Sequence, residues 1–258
     1  MKTRFTFYLL LAVLAAPSTW ADPPPNVGWT VTFDDEFNDS NLDHSKWHTT
    51  YSGGLRTNAG NKEAEYYADD AFEFKNGVMR IRADKRDKEG FHYTSGLISN
   101  YGNFSQQYGY FEMKARLPKG QGYWPAFWLM PTNPGWPPEI DIMENLGQVT
   151  TVVRFTNHYD KDNKQVSGTY GSVLPDFSDD FHIFGLLWEK DKLVWYIDNV
   201  ERFRTDKGIP QEPMYIIANL AVGGSWGGYP DKTTSFPGYM DIDYIRVYQD
   251  PGKSTEKH

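Results

Sequence analysis

Glu139-Ile140-Asp141-Ile142-Met143-Glu144 places three carboxylates among apolar residues, just downstream of an aromatic run, Tyr123-Trp124-Pro125-Ala126-Phe127-Trp128. Carboxyl groups can transfer protons and can attack an electrophilic carbon. Two of them facing a bound sugar are what cleavage of a glycosidic bond requires. Like charges at such range repel, so three acids on one strand are costly unless chemistry uses them. The bland alternative is a solvated acidic edge strand, whose charge guards the sheet against aggregation.

Spacing adds a structural condition. A regular strand would put 139, 141 and 143 on one face and 140, 142 and 144 on the other. Glu144 would then turn away from Glu139 and Asp141. One extra residue repairs this: a β-bulge around Ile142-Met143 returns Glu144 to the acidic face and sends both apolar residues to the core. Even so, about four strand steps of about 3.3 Å separate Glu139 and Glu144, or about 13 Å between Cα atoms. A retaining pair needs its carboxyl groups about 5–5.5 Å apart. The side chains must therefore converge above a bent, concave strand, and an inverting mechanism is the fallback if they do not.

The elements available to hold such a strand are nearly all β. Trp29–Phe33, Val78–Ala83, Thr151–Tyr159, Phe181–Trp188, Leu193–Ile197, Met214–Val222 and Tyr239–Tyr248 carry β-branched and aromatic patterns. Tyr110–Leu117 alternates cleanly, with Phe111, Met113, Ala115 and Leu117 on one face. Asp198-Asn199 reads as a two-residue hairpin turn into Val200–Phe203. At most one helical turn is expected, near Asp39–Lys46. Many short antiparallel strands separated by Gly, Pro, Asn and Asp predict an all-β, jelly-roll sandwich of two curved sheets, with a concave face long enough for a polymer.

Composition narrows the partners. The chain has 258 residues and no cysteine, so its core must hold without disulfides. Lys2 and Arg4 precede an apolar stretch, Phe5–Ala16, and a small-residue exit at Ser18-Thr19-Trp20-Ala21. Residues 1–21 read as a secretory signal peptide, which predicts a secreted or periplasmic protein with no membrane span after cleavage. The alternative is an uncleaved anchor. Residues 22–258 then form a single domain, with a loose tail at 251–258. Cleavage takes two positive charges off a formal net charge of −8, which argues against nucleic acid as a partner. Aromatics make up 16% of the chain, including 9 Trp and 17 Tyr. They fit either sugar stacking or core packing.

The chain resembles glycoside hydrolase family 16, in its laminarinase-like branch of endo-β-1,3-glucanases and β-1,3-1,4-glucanases. The resemblance runs over nearly all of residues 22–258. It is carried by Phe33-Asp-Asp-Glu-Phe37, Gly109-Tyr-Phe-Glu112, Leu117-Pro-Lys-Gly120, Trp124-Pro-Ala-Phe-Trp128, the acidic motif, Asn219-Leu-Ala-Val-Gly-Gly224 and Asp243-Tyr-Ile-Arg-Val-Tyr248. Two residues between Asp141 and Glu144 match the laminarinase-like branch; a single one is typical of lichenases and plant xyloglucan-modifying members. The resemblance implies a concanavalin A-like jelly roll with Glu139 as nucleophile, Glu144 as general acid/base and Asp141 as the helper between them.

It also implies a monomer that takes a β-glucan polysaccharide or oligosaccharide and needs no cofactor for catalysis. Trp124, Trp128 and Trp226 are expected to contact sugar, Trp226 from a flexible glycine-rich loop; each is otherwise a core or loop anchor. His158 falls where similar proteins place a histidine near the acid/base, though a lone histidine is as readily structural. Asn58 and Glu63 are expected on the non-reducing side of the cleft. A structural calcium ion is implied at Glu36, the Gly77 carbonyl and Asp243, all hard oxygen donors. Two positions depart from the family pattern: Pro138 stands where Gly is usual, and Glu65 where Gln is usual in Asn61-Lys-Glu-Ala-Glu-Tyr-Tyr67. Both put linkage preference in doubt. A hydrolase of bacterial exopolysaccharide, agarose or carrageenan is the nearest alternative. A non-catalytic lectin needs the aromatics but has no use for three aligned acids.

Overall fold

The computed structural model describes residues 23–253, apart from 163, 174 and 175. The expected leader at 1–21 and the tail from 254 onward lie outside the described residues. In chain order the first eight strands are β1 (Thr30–Asp35), β2 (Glu65–Tyr67), β3 (Phe72–Lys75), β4 (Val78–Ala83), β5 (Tyr93–Ser95), β6 (Leu97–Ser99), β7 (Gly109–Arg116) and β8 (Tyr123–Pro131). The next eight are β9 (Glu139–Asn145), β10 (Val152–Lys161), β11 (Lys164–Val173), β12 (His182–Trp188), β13 (Leu193–Ile197), β14 (Val200–Thr205), β15 (Met214–Val222) and β16 (Gly238–Gln249).

They form the expected jelly-roll sandwich. One sheet runs β14-β13-β12-β7-β16-β4-β3, with β1 also paired to β16. The other runs β11-β10-β9-β8-β15-β6, and a short parallel pair, β2-β5, lies apart from both. The two large sheets share one core. Phe111, Met113, Ala115 and Leu117 of the alternating β7 segment join the same buried cluster as Phe127, Leu129, Ile140, Ile142, Met143 and Phe155 of the second sheet. Full burial of each large side chain contributes about 1.5–3 kcal/mol, enough for a domain of this size to hold without disulfides.

Local chemistry explains most element ends. Asp198 and Asn199 both take positive φ, 53° and 63°, and close the hairpin between Ile197 and Val200. Those are the dihedrals of a primed turn, which short polar side chains tolerate. The segment near Asp39–Lys46 makes turns but no helix, and no α-helix occurs among the described residues. Three 3-10 turns stand instead at Ser52–Gly54, Ala59–Asn61 and Pro251–Lys253, the last at the start of the expected loose tail.

Candidate active site

β9 carries the acids, and it carries the bulge. Against β8, Phe127 pairs with Met143 while the next residue, Trp128, pairs with Asp141. Against β10, Arg154 pairs with Glu144 and Thr156 with Asp141. The extra residue therefore lies in Ile142-Met143. Ile140, Ile142 and Met143 are buried in the core, whereas Glu139, Asp141 and Glu144 all line one cleft. Three apolar anchors pointing down thus hold three acids pointing up. The facing sheet grips the strand as well: the indole N–H of buried Trp195 on β13 donates to the Asp141 carbonyl at 2.9 Å.

The cleft encloses about 800 Å³ above β8, β9, β10 and β15. Trp124 donates its indole N–H to Glu144 Oε1 at 3.1 Å. Trp136 does the same for Glu139 Oε2 at 2.8 Å. His158 Nε2 lies 3.5 Å from Glu139 Oε1 and 3.3 Å from Asp141 Oδ2. Trp128 is tied by its N–H to Asn219 Oδ1 at 2.8 Å. Trp226 packs edge-on against Trp124, with ring centroids 5.0 Å apart.

Burial sets the protonation order. It pushes the Glu144 carboxyl well above the usual range, and the charges of Asp141 and Glu139 add to the push. Asp141 is also pushed well up, first by burial and then by the charge of Glu139 and its hydrogen bond to that group. Glu139 is raised by burial too, but His158, the Trp136 N–H and Asp141 oppose the rise. Burial thus favours the protonated form of all three, most strongly at Asp141 and Glu144, while the donors around Glu139 favour its anion. Because the three titrate as a set, protons leave the group rather than one residue at a time. Such a set can offer a nucleophilic carboxylate and a proton donor in the same cleft.

The cleft gathers Asn58, Glu63, Trp124, Trp128, His158 and Trp226 around the three acids. One detail of the sequence reading changes: the Trp226 loop is pinned rather than free. Ser225 N–H donates to the Asn61 carbonyl at 2.8 Å, Gln148 donates to the Gly227 carbonyl at 2.9 Å, and Gly223 N–H donates to the Gly122 carbonyl at 2.8 Å. Gly224, at φ +105°, passes beside the Asn61 carbonyl and the Trp124 ring, where a side chain would be both strained and crowded.

The profile of Glycosyl hydrolases family 16 matches residues 59–246. The chain belongs to glycoside hydrolase family 16. Among curated relatives of this family 16 chain, it is 36% identical over 241 residues to the endo-1,3-1,4-beta-glycanase ExsH of Rhizobium meliloti, covering 84% of this chain and 51% of that protein. The chain thus spans about half the length of that relative. To the beta-glucanase of Rhodothermus marinus it is 34% identical, covering 96% of this chain and 94% of that one. Among solved structures, the laminarinase catalytic domain from Thermotoga petrophila superposes with a TM-score of 0.77 at 38% identity, covering 86% of this chain and 98% of the other.

The family-implied calcium donors lie on the other sheet, at the β1–β16 side. Glu36 follows β1 and accepts two N–H groups from Arg246, at 2.7 and 2.8 Å. Asp243 is paired with Lys114 at 2.7 Å. Gly77 turns the chain between β3 and β4 at φ +73°. Both carboxylates are therefore already matched to protein cations, and a bound ion would have to replace Lys114 at Asp243.

Among the cleft residues that escape the sequence reading are Tyr51, Trp136, Arg154 and Asn219. Two left a trace. Arg154 lies two and four residues before Thr156 and His158, which share its face, and Asn219 is the one amide in the otherwise apolar and aromatic run Met214–Val222. Trp136 lies in a proline-rich loop with no periodicity to mark it.

Proposed function

We propose that this chain is an endo-acting β-glucanase that hydrolyses internal β-1,3 or mixed β-1,3-1,4 bonds with retention of configuration. The observation that carries the reading is the bulge at Ile142-Met143, which turns Glu139, Asp141 and Glu144 into one aromatic cleft. Glu139 attacks the anomeric carbon while Glu144 gives its proton to the departing glycosidic oxygen, and a covalent glycosyl-enzyme forms. Glu144, now an anion, takes a proton from water, and that water releases the sugar with its β configuration restored. Asp141 keeps its own proton and hydrogen-bonds Glu139, so that the negative charge stays on Glu139 for attack, and the Trp136 N–H keeps the nucleophile aimed. Trp124, Trp128 and Trp226 stack against sugar rings flanking the cut.

Substrate class follows the relatives, whose names carry both the 1,3 and the 1,3-1,4 linkage. Product analysis on laminarin, lichenan, agarose and a succinoglycan-type polymer tests it. Oligosaccharides released from laminarin or lichenan are expected; release from agarose or succinoglycan alone would replace the β-glucan reading. NMR of the first-formed product is expected to show the β anomer, and initial α anomer would exclude double displacement. Export to the periplasm or beyond is part of the same reading, supported by Lys2, Arg4 and the apolar stretch that follows. Calcium, if it acts here, acts on stability through the folded state alone. The pairing of Glu36 and Asp243 with Arg246 and Lys114 leads to the expectation of a melting temperature unchanged by chelator.

A further inference from the structure

A second pair of buried acids lies apart from the catalytic three. Glu65, in β2, is 0% exposed, and Glu63 is 9% exposed. Among the described residues neither forms an ion pair with lysine, arginine or histidine. Arg56 is committed to the Tyr67 carbonyl and to Asp69, and Lys62 is exposed. The other titratable groups that face the pair are the phenols Tyr51 and Tyr67, which bring no positive charge. From β15 the pair meets the Val222 N–H; the Asn219 amide N–H donates to the Tyr67 hydroxyl rather than to either acid.

Two carboxylates cannot both stay charged in such a place, because Glu65 is fully buried and no cation offsets the charge. The donors decide which one is neutral. Glu63 receives the Asn58 N–H at 3.2 Å, the Asn61 amide at 3.0 Å and the Tyr67 hydroxyl at 3.2 Å. Glu65 receives only the Val222 N–H, at 2.6 Å on Oε2, and its Oε1 has no donor at all. A proton on Oε1 satisfies that atom, and the Glu65 and Glu63 carboxyls lie within hydrogen-bonding reach of each other.

We propose that Glu65 is a positioning residue: its carboxyl keeps a proton, shares it with Glu63, and so holds residues 58–61 as a fixed wall of the cleft. Glu63 is the hub. It gathers the Asn58 backbone and the Asn61 side chain, Asn58 Oδ1 accepts the Asn61 N–H at 3.2 Å, and the Asn61 carbonyl accepts the Ser225 N–H beside Trp226. Asn58, Gly60, Asn61 and Glu63 all line the cleft. Burial and the charge of Glu63 both push the Glu65 carboxyl well up, in keeping with a retained proton. When pH rises far enough to remove it, two buried anions face each other, the hub opens, and glycan is held less tightly on that side.

This inference rests on the glucanase reading for its ligand, so one of its measurements uses no ligand. Infrared difference spectra between the native protein and Glu65→Gln at neutral pH are expected to show a protonated-carboxyl band that the variant lacks. Absence of that band overturns the proposal whatever the substrate proves to be. The native protein is also expected to lose melting temperature relative to Glu65→Gln as pH rises above 4.5, the ordinary value from which the Glu65 carboxyl is raised. The proton bound more tightly in the folded state makes that loss, and an unchanged difference across pH counts against the idea. For binding, the inactive Glu139→Gln variant is titrated with a β-1,3-linked glucose hexasaccharide by tryptophan fluorescence. Its affinity is expected to fall about tenfold between neutral and alkaline pH, as one charge-assisted hydrogen bond is lost. The Glu139→Gln/Glu65→Gln double variant is expected to hold its affinity throughout, because an amide donates to Glu63 at any pH. An equal fall in both variants overturns the role of Glu65. No binding by either at neutral pH counts against the glucanase reading instead.

Discussion

Buried acids on the two large sheets have opposite surroundings. On the eight-stranded sheet, Asp241 lies between Arg80, at 2.8 Å, and Arg116. Glu112 there accepts the Tyr248 hydroxyl at 2.9 Å and lies 3.9 Å from Arg246, which is also clamped to Glu36. On the cleft sheet, Glu139, Asp141 and Glu144 have no lysine or arginine within ion-pair distance among the described residues. Their neighbours are indole N–H groups, one histidine and each other. Acids held by arginine on the eight-stranded sheet tie its strands together and serve the fold. Acids in the cleft have no lysine or arginine to hold them charged, and burial raises their hold on a proton, which is the direction acid–base chemistry needs.

Substitution of Glu144 by Gln breaks this contrast most directly. It is expected to lower kcat on laminarin or lichenan by about 10²–10⁴, with little change in KM. Glu139→Gln is expected to remove turnover while sugar binding survives. If turnover persisted in Glu139→Gln, the nucleophile would have to be reassigned. On the other sheet, Arg246→Ala leaves Glu36 and buried Glu112 without their cation and is expected to cost about 3–5 kcal/mol in urea unfolding. Turnover per folded molecule is expected to stay the same. A large loss of kcat there would mean that the two acid sets are coupled, against the contrast drawn above.

A smaller effect sharpens the same point through pH. Glu144 is raised in the folded state, so the folded protein binds its proton more tightly than the unfolded chain does. The stability that this proton contributes is complete below the ordinary value of 4.5 and is lost as pH rises through the folded value. Glu144→Gln is therefore expected to melt higher than the native protein at neutral and alkaline pH, with the gap closing toward acid. Activity has both limbs: it falls in acid as Glu139 takes up a proton and in alkali as Glu144 loses its own. The smallest effect belongs to a surface pair. Arg86 holds the Asp70 carboxyl down at about 2, so its contribution is present above 3.8 and lost between 3.8 and 2. Arg86→Ala is expected to return Asp70 toward 3.8 by NMR titration, with activity unchanged.

Legibility in the sequence tracked periodicity. Val78–Ala83, Leu193–Ile197 and Met214–Val222 match β4, β13 and β15 end to end, because apolar and β-branched residues there are dense and bounded by turn residues. β11 is not legible because Lys164–Val173, with two Gly and two Ser, has no strong alternation. β2, β5 and β6, three residues each, are too short to show a period. The bulge could be inferred because a plain strand would have wasted Glu144. Trp136, Arg154 and Tyr51 could not, because each reaches the cleft from a different segment, and nothing local marks where those segments meet.

The chain by itself determined that the protein is built of β-strands, which strand holds the acids, and that one extra residue must sit between Asp141 and Glu144. These follow from side-chain alternation, a property of neighbouring residues. Only the folded sandwich decided how tightly those acids hold their protons. Burial, the missing cations and the indole donors of Trp124 and Trp136 come from residues distant in sequence or brought round by loops. A carboxyl group's affinity for its proton is set by what surrounds it in space.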